Sequence, residues 1–274
     1  MIQLIRDFKR ARDVGETPAE VVGIVRTLRS LRWKIRKFKN RKNQECTEQM
    51  MGYEVTGYDY LALEYFFNEI FLLREYSFKA TTDAPVIIDC GANIGCATLF
   101  FKRLYPKAKI FSFEPNPHAF ALLEKNIKRN NLTDVSLFEY ALSDREEEIS
   151  FFIGQHHIGC MVGSVRADRG GATELRVKAI RLSDFINRLG LNIDLIKMDV
   201  EGAELKIVED LCQTRTIGKA EQILLEYHHK INNEPGNLSG FLKKFEENNF
   251  DYNLKTSYAR KGEYQDVFVH LYKQ

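Results

Sequence analysis

The chain has 274 residues, of which 44% are hydrophobic and 28% charged, and this ordinary composition excludes disordered and fibrous classes of protein. Five cysteines without C-x-x-C spacing argue against a disulfide framework and a cysteine zinc site, and no apolar run reaches the ~18 residues of a membrane helix. The formal charge of +2 hides an asymmetry, because residues 1–43 hold 13 Lys/Arg and 4 Asp/Glu (+9), whereas residues 44–274 hold 27 and 34 (−7). We therefore expect a cytoplasmic globular protein with a basic arm and a mildly acidic body.

The basic arm, residues 1–43, is predicted to be helical. Its segment from Arg26 to Lys42 contains nine basic residues and no acidic one. Apolar residues recur at steps of three or four and suit one helical face: Val22, Val25, Leu28, Leu31 and Ile35. Either this stripe docks a solvated helix on the body, which we favour, or the arm binds an anionic surface such as membrane headgroups, nucleic acid or an acidic partner.

Residues 58–78 are dense in aromatic side chains at mixed helical spacing. An aromatic stripe of this kind is more often core than a binding platform, so we predict a helix that packs on the edge of the main domain. We accordingly divide the chain into a helical, basic extension over residues 1–80 and a main domain over residues 81–274.

From Pro85 onward, short apolar strands alternate with helices. The predicted strands are Val86–Ile88, Lys109–Phe113, Val135–Tyr140, Asp194–Met198, Gln222–Tyr227, Tyr252–Lys255 and Asp266–Tyr272. The predicted helices end near Leu104, run from Pro117 to about Asn130, begin near Ala203, and run from Leu238 to Asn248. This alternation predicts a parallel, doubly wound α/β sheet. The last two strands have no helix between them, so we expect a hairpin that adds one antiparallel strand.

An insertion over residues 144–181 separates the third and fourth strands. It contains a predicted strand pair, Glu148–Ile153 and Glu174–Ile180, whose connection from His156 to Gly171 carries four glycines. A long glycine-rich loop beside the strand ends is either a substrate lid or a disordered surface loop, and the sequence leaves both open.

The first strand of the main domain leads into Asp89-Cys90-Gly91-Ala92-Asn93-Ile94-Gly95. Glycine lets a backbone approach a ligand without a Cβ in the way, and the helix that follows points its N–H groups at the same place. The G-x-x-x-G spacing differs from the G-x-G-x-x-G that seats a pyrophosphate. It suits a ligand with an amino-acid moiety, whose ammonium Asp89 can meet.

Two further strand ends carry candidate binding residues. Glu114 ends the second strand, 23 residues beyond Gly91, where an acid can accept hydrogen bonds from the hydroxyls of a ribose. The alternative is a carboxylate that caps the next helix. Ser143 and Asp144 follow the third strand and are positioned to meet an adenine ring, although Ser-Asp is also an ordinary turn.

The strings VIIDCGANIG, FSFEPNP, YALSD, LIKMDVEGAE and ILLEYH, in this order, resemble the FkbM-type methyltransferases over about residues 55–257. KMDVEGAE (197–204) is the most specific of them, and the basic arm lies outside the resemblance. The resemblance implies a class I Rossmann-like methyltransferase fold with S-adenosylmethionine as cofactor. It places Asp89, Gly91, Asn93 and Gly95 at the methionine end, Glu114 on the ribose, and Ser143 and Asp144 near adenine.

The same resemblance puts Asp199, Glu201 and Glu204 beside the methyl group, with Glu226 and His228 on the same face. A hydroxyl acceptor needs a general base, and His228, Glu201 and Asp199 are the catalytic candidates. Glu201 has the alternative role of a first-turn helix carboxylate, and His228 that of a surface histidine. Asp199, Glu226 and His228 are also suitable metal ligands, but no spacing demands a metal and we predict none.

The predicted function is methyl transfer to a hydroxyl oxygen of a sugar, glycan or other small-molecule natural product. The alternatives are an N-methyltransferase, a nucleic-acid-binding protein that uses the basic arm, and a module that binds the cofactor without catalysis. Acceptor recognition is expected in residues 154–171 and 229–237, with the N-terminal helices as a further candidate. The helical extension can also serve a homo-oligomer or a membrane surface equally well.

Overall fold

The computed structural model describes residues 2–38, 44–154, 163–165, 171–229, 237–256 and 265–273. The helices are Ile2–Val14 (α1), Pro18–Lys37 (α2), Tyr60–Phe66 (α3), Cys96–Leu104 (α4), Pro117–Arg129 (α5), Leu182–Leu189 (α6), Glu204–Gln213 (α7) and Leu238–Glu246 (α8). The strands are Cys46–Met50 (β1), Tyr53–Gly57 (β2), Val86–Cys90 (β3), Lys109–Phe113 (β4), Val135–Phe138 (β5), Ala141–Ser143 (β6), Glu147–Ile153 (β7), Gly163–Ser164 (β8), Thr173–Arg181 (β9), Ile193–Met198 (β10), Ala220–His229 (β11), Phe250–Thr256 (β12) and Gln265–Lys273 (β13).

The main sheet has seven strands in the order β12-β13-β11-β10-β3-β4-β5. Strands β11, β10, β3, β4 and β5 pair in parallel, whereas β13 runs antiparallel to both of its neighbours. The predicted mostly parallel sheet with one antiparallel strand is therefore confirmed. The chain leaves β3 towards β4 and β5 and returns on the other side to β10, so the ends of β3 and β10 flank the topological switch point, where such sheets bind ligands.

Both faces of this sheet are buried, and consecutive strand residues belong to opposite cores. Ile87 and Leu195 pack into one apolar cluster, whereas Ile88 and Ile196 pack into the other. This alternation follows from the two-residue period of a strand and explains why the strands read as continuous apolar runs rather than as alternating ones. The sheet thus holds its strand ends in fixed positions, from which polar side chains project.

The amino-terminal helices pack on the first of these cores. Thr17 caps α2 by accepting a hydrogen bond from the N–H of Glu20, and Pro18 occupies the first turn. The buried face of α2 consists of Val21, Ile24, Thr27, Leu28 and Leu31. It includes only part of the predicted stripe, because Val22 is 65% exposed. The helix is docked through its apolar face; the division of the chain at residue 80 and an anionic partner for the arm stay predictions.

The aromatic segment 58–78 begins as the helix α3 and continues as a π-helical turn, Phe67–Leu72. Asp59 caps its start by accepting a hydrogen bond from the N–H of Ala62. Phe67 and Phe71 are buried, and Phe71 meets Phe100 of α4 edge to face. The predicted role in the core is therefore observed, but Tyr65 and Glu69 on the other face of the segment line a cleft.

The insertion forms a second, four-stranded sheet in the order β6-β9-β7-β8. Strands β7 and β9 form the predicted pair, and the structure shows that they run antiparallel. Most of the connection from His156 to Gly171 lies outside the described residues, and the lid prediction falls there with it. Gly163 and Val165 are described, and both line the same cleft as Tyr65.

Within the part of the chain that the structure describes, no helix combines the length and the apolar character of a transmembrane span. Four of the five cysteines belong to this part, and all four are free thiols: Cys46, Cys90, Cys96 and Cys212. Burial raises the pKa of the Cys46 thiol to about 12, so this thiol stays protonated and unreactive near neutral pH.

Candidate active site

The turn after β3 lies against the end of β10. Gly91 adopts a φ of +81°, and a Cβ added there would lie 1.9 Å from the carbonyl oxygen of Asp199. The backbone N–H of Asp199 also donates a hydrogen bond to the carbonyl oxygen of Cys90 (3.1 Å). The sequence explains this glycine by the approach of a ligand, whereas in the structure the neighbouring strand already requires it. The turn and Asp199 are thereby held side by side at the switch point.

Glu114 closes the turn from the side of β4. The backbone N–H of Asn93 donates to its Oε2, and the N–H of Asn116 donates to its Oε1, both at 2.8 Å. Glu114 lines the cleft although its exposed fraction is only 6%. Burial raises its pKa to about 7, and the two N–H donors and Lys197 only partly oppose this effect. Glu114 is thus a buried acceptor that faces the cleft and titrates near neutral pH.

Asp89 lies deeper than the sequence suggested. Its side chain is fully buried and is not among the described residues that line the cleft. Thr98 Oγ1 donates to its Oδ2 at 2.7 Å, and Lys197 Nζ lies 3.5 Å from its Oδ1. Lys197 also donates to the carbonyl oxygen of Gly91 at 2.7 Å. The carboxylate of Asp89 therefore holds a lysine that supports the turn, and its contact with a ligand ammonium stays a prediction.

Lys197 is a cation inside the sheet. Burial alone would lower its pKa, but the carboxylates of Asp89 and Asp199 outweigh that effect and raise the pKa above its usual range. Its ammonium also lies 5.3 Å from the ring centre of Tyr76. The lysine therefore stays charged at the wall of the cleft.

The predicted adenine contacts are close to the cleft without lining it. Ser143 is buried, and its hydroxyl donates to Asp144 Oδ1 at 3.0 Å. The cleft wall is formed instead by the three residues before them, Tyr140, Ala141 and Leu142. The role of Ser143 and Asp144 stays a prediction, and Tyr140 is an aromatic neighbour that the sequence did not single out.

Five carboxylates surround the imidazole of His228 at the ends of β10, β11 and β13. The Oε1 atom of Glu204 lies 2.7 Å from Nδ1, within hydrogen-bond distance. Around Nε2 lie carboxylate oxygens of Glu201 (3.3 Å), Glu226 (3.9 Å), Asp199 (4.0 Å) and Asp266 (4.0 Å). His228 is itself fully buried in its side chain, whereas these four carboxylates line the cleft. We call this group the His228 cluster.

The local backbone explains how the cluster is assembled. Glu201 has a φ of +53°, which turns the chain between β10 and α7. Both carboxylate oxygens of Glu204 accept the N–H of Gly202 at 3.0 Å, so Glu204 closes the first turn of α7 and is fixed against His228. Asp266 lies opposite His228 in the β11–β13 ladder. The predicted residues Asp199, Glu201, Glu204, Glu226 and His228 are therefore brought together.

The electrostatics of the cluster are dominated by negative charge. Burial alone would lower the pKa of His228, but Glu204, followed by Glu201 and Asp199, raises it to about 10. Burial and the neighbouring Asp199 raise the pKa of Glu226 to about 9. The pKa of His228 therefore lies well above the ordinary imidazole pKa of about 6.5, on which its prediction as a general base was based. Without a competing cation, the cluster retains protons at neutral pH.

A single cavity of about 280 Å³ joins the Gly91 turn, Glu114 and the carboxylates of the His228 cluster. Sequence reasoning missed several of its walls: Tyr65, Glu69, Glu75, Tyr76, Lys197 and Asp266. Lys197 had a readable signal, because a lysine inside the apolar strand DLIKM needs a buried partner. Asp266 had none, because its place beside His228 depends on the register of β13.

Comparisons with known proteins identify the sequence family of the chain. The sequence family described as the methyltransferase FkbM domain matches residues 89–252. The chain is 33% identical to methyltransferase sdnD of Sordaria araneosa over 175 residues, which cover 53% of this chain and 68% of that protein. It is 37% identical to the 2-O-methyltransferase NoeI of Sinorhizobium fredii over 151 residues, which cover 48% and 61%.

The crystal structure of methyltransferase FkbM from Methylobacillus flagellatus has a similar fold. It is 13% identical in sequence, with a TM-score of 0.50 over 99% of this chain and 59% of that one. The family match spans more than half of the chain, from the Gly91 turn to β12, and thus includes most of the cleft. The chain therefore belongs to the FkbM methyltransferase family, and its cofactor is S-adenosylmethionine.

Proposed function

We propose that this enzyme transfers the methyl group of S-adenosylmethionine to a hydroxyl oxygen of a sugar, glycan or other small-molecule natural product. The observation that carries the proposal is the single cleft in which the Gly91 turn adjoins the carboxylates of Asp199 and Glu201. A donor site and a proton acceptor at one place are what methyl transfer to a hydroxyl needs. The relative NoeI, whose name specifies 2-O-methylation, supports the choice of oxygen.

The residues around the Gly91 turn fit the cofactor. Each carboxylate oxygen of Glu114 accepts one backbone N–H from a described residue, and each has a further lone pair for a ribose hydroxyl. The turn lines the cleft with Gly91, Ala92 and Asn93, and the first two leave room for a ligand beside the backbone. We therefore assign Glu114 to the ribose and the turn to the methionine end, with Asp89 acting through Lys197.

The pH dependence of cofactor binding tests the assignment of Glu114. The ribose hydroxyls donate to the ionised carboxylate, so S-adenosylmethionine affinity should rise as the pH passes through about 7 and level off above it. Glu114→Gln should weaken binding at pH 8 by about 1.5–3 kcal/mol and flatten the profile. Calorimetric titrations between pH 5.5 and 8.5 measure both effects. A Glu114→Gln variant that keeps the wild-type profile would place the ribose elsewhere.

At the acceptor end, the transfer is an in-line displacement. The cofactor supplies an electrophilic methyl group on a sulfonium; the acceptor oxygen forms the new C–O bond as the C–S bond breaks. The hydroxyl proton passes to a carboxylate that the acceptor can reach. Asp199 and Glu201 line the cleft, whereas His228 lies behind them and is fully buried in its side chain. We therefore assign the proton acceptor to these carboxylates rather than to the imidazole.

Replacing Glu201 tests the reaction. Glu201→Gln keeps the side-chain shape and removes the base, so kcat should fall by about 100-fold, while the affinity for S-adenosylmethionine stays unchanged. The matched control is Glu209→Gln on the following helix, where the carboxylate is paired with Lys244 on the surface, and it should retain the wild-type kcat. The measurement is methyl transfer to paired acceptors that differ only in a hydroxyl or an amine. Transfer to the amine alone would refute the O-methyltransferase proposal.

A further inference from the structure

The His228 cluster has the composition and the spacing of a metal site. We propose that Asp199, Glu226 and His228 bind a divalent metal ion, with Asp266 as an additional carboxylate at the same position. The sequence predicted no metal, because Asp199 follows β10 whereas Glu226 and His228 lie on β11, and no sequence spacing demands an ion. The β10–β11–β13 pairing brings them together.

The distances suit a single ion. One ligand atom from each of Asp199, Glu226 and His228 lies within 4.8 Å of the other two. The His228 Nε2 atom is 3.9 Å from a Glu226 oxygen and 4.0 Å from an Asp199 oxygen. Two metal–ligand bonds of ~2.0–2.2 Å span at most ~4.4 Å, so an ion between these atoms requires only small side-chain movements.

The imidazole is aimed into this position and is prepared to act as a ligand. His228 Nε2 is buried and makes no hydrogen bond to any described residue, because the Glu201 carboxylate at 3.3 Å lies outside hydrogen-bond geometry. Asp199 Oδ1 likewise has no hydrogen-bond partner within the described ranges. The other ring nitrogen pairs with Glu204. A metal-binding histidine usually has such an outer carboxylate, which fixes the ring and selects the free nitrogen.

The charge of the cluster also favours a cation. Asp199, Glu201, Glu204, Glu226 and Asp266 surround one imidazole, and Lys197 reaches only the edge of the group, 3.9 Å from Asp199. Carboxylates gathered this closely repel one another, and a cation placed between them relieves the repulsion. A mixed set of carboxylates and one imidazole suits Mn²⁺, and Mg²⁺ and Zn²⁺ are the competing ions to compare.

The ion would complete the acceptor end of the cleft, and this step rests on the proposed function. An acceptor hydroxyl bound to the ion loses its proton more readily, because a metal lowers the pKa of a bound oxygen. With Asp199 engaged as a ligand, Glu201 remains as the carboxylate that takes the proton. The site would then favour acceptors with a second oxygen next to the reacting hydroxyl, which bind the ion through both.

Direct metal binding tests the proposal without any acceptor. Metal-free protein is titrated with Mn²⁺ and the free ion is measured by electron paramagnetic resonance, with Mg²⁺ and Zn²⁺ as competitors. We expect one site per chain. Asp199→Asn, Glu226→Gln and His228→Ala should each weaken Mn²⁺ binding more than Glu204→Gln, for which loss of an outer partner predicts a ~10–100-fold effect.

The matched control is Glu69→Gln, which removes a carboxylate from the same cleft but outside the cluster, and it should change Mn²⁺ affinity by less than about twofold. Thermal melts of every variant identify those that fail to fold, and Glu226→Asp, which keeps the charge, should retain part of the affinity. Equal effects of Glu69→Gln and Glu226→Gln would overturn the proposal, and so would the absence of Mn²⁺ binding. A third outcome would also overturn it: the Asp199, Glu226 and His228 variants lose S-adenosylmethionine affinity, measured in the presence of a chelator, but keep their Mn²⁺ affinity. The cluster would then bind the cationic cofactor rather than a metal ion. Specific Mn²⁺ binding without methyl transfer would refute the proposed function and leave the metal site in place.

Discussion

Gly91→Ala should destabilise the protein by roughly 4 kcal/mol or more and abolish cofactor binding in the fraction that folds. The new Cβ would lie 1.9 Å from the carbonyl oxygen of Asp199, which is backbone at the end of β10 and not a side chain that can rotate away. Relief of the clash requires the ends of β3 and β10 to separate, and the turn beside Glu114 moves with them. Chemical denaturation measures the first effect, and calorimetric titration with S-adenosylmethionine measures the second.

Two other glycines serve as controls that distinguish the steric clash of a Cβ at residue 91 from the cost of placing alanine at a positive φ. Gly52 and Gly190 have φ values of +93° and +67°, on either side of the +81° of Gly91, but a Cβ at either position meets nothing within 4 Å. Gly52→Ala and Gly190→Ala should therefore cost only about 1–2 kcal/mol each. If Gly91→Ala costs no more than these two, the close approach of the strands is not what requires the glycine.

Lys197→Met should cost about 3–5 kcal/mol of unfolding free energy, because it leaves the fully buried carboxyl group of Asp89 without its cationic partner. The methionine fills a similar volume beside Tyr76, so loss of packing contributes little. The carbonyl oxygen of Gly91 also loses its donor, and we expect weaker cofactor binding in addition. Urea denaturation at pH 7.5 gives the stability change, and titration of the folded variant gives the affinity.

The exposed pair Lys107–Asp83 is the control for this effect. Its two side chains are 72% and 75% exposed, and solvent screens their attraction, so Lys107→Met should leave the denaturation midpoint unchanged within error. The double variant Asp89→Asn, Lys197→Met should regain part of the stability lost in Lys197→Met, because it removes the unpaired charge. A double variant less stable than Lys197→Met would show that Asp89 is held mainly by Thr98 and not by the lysine.

The sequence predicted where the strands of the main sheet end, but not how deeply the side chains at those ends are buried. Glu114 and Asp199 directly follow the strands β4 and β10, and the carboxyl ends of parallel strands meet at one edge, so their convergence in a cleft was predictable. Asp89 follows the same rule but turns away from the cleft to meet Thr98 and Lys197. Whether a side chain at a strand end points into the cleft or into the core depends on the residues that neighbouring elements place beside it. The spacing of residues in the sequence does not reveal those neighbours.

The environment of His228 could not be read from the sequence for a related reason. An isolated histidine has a pKa near 6.5, and this value suggested a general base. The carboxylates that raise its pKa, Glu204, Glu201 and Asp199, follow β10, whereas His228 lies on β11, 24 residues beyond Glu204. A pKa that depends on residues from several elements can be predicted only when the relative positions of those elements are known.

The position of β13 has a consequence for the order in which the protein can assemble. This strand follows β12 in the chain but lies between β12 and β11 in the sheet. As the ribosome releases the chain, β12 has no partner among the described strands until β13 emerges, and the outer edge of β11 is open. The donor side of the cleft, from Gly91 to Glu114, needs only strands up to β10, whereas Asp266 joins His228 only with the last of these strands. A nascent chain arrested before β13 should thus bind nucleoside without being able to complete the acceptor side.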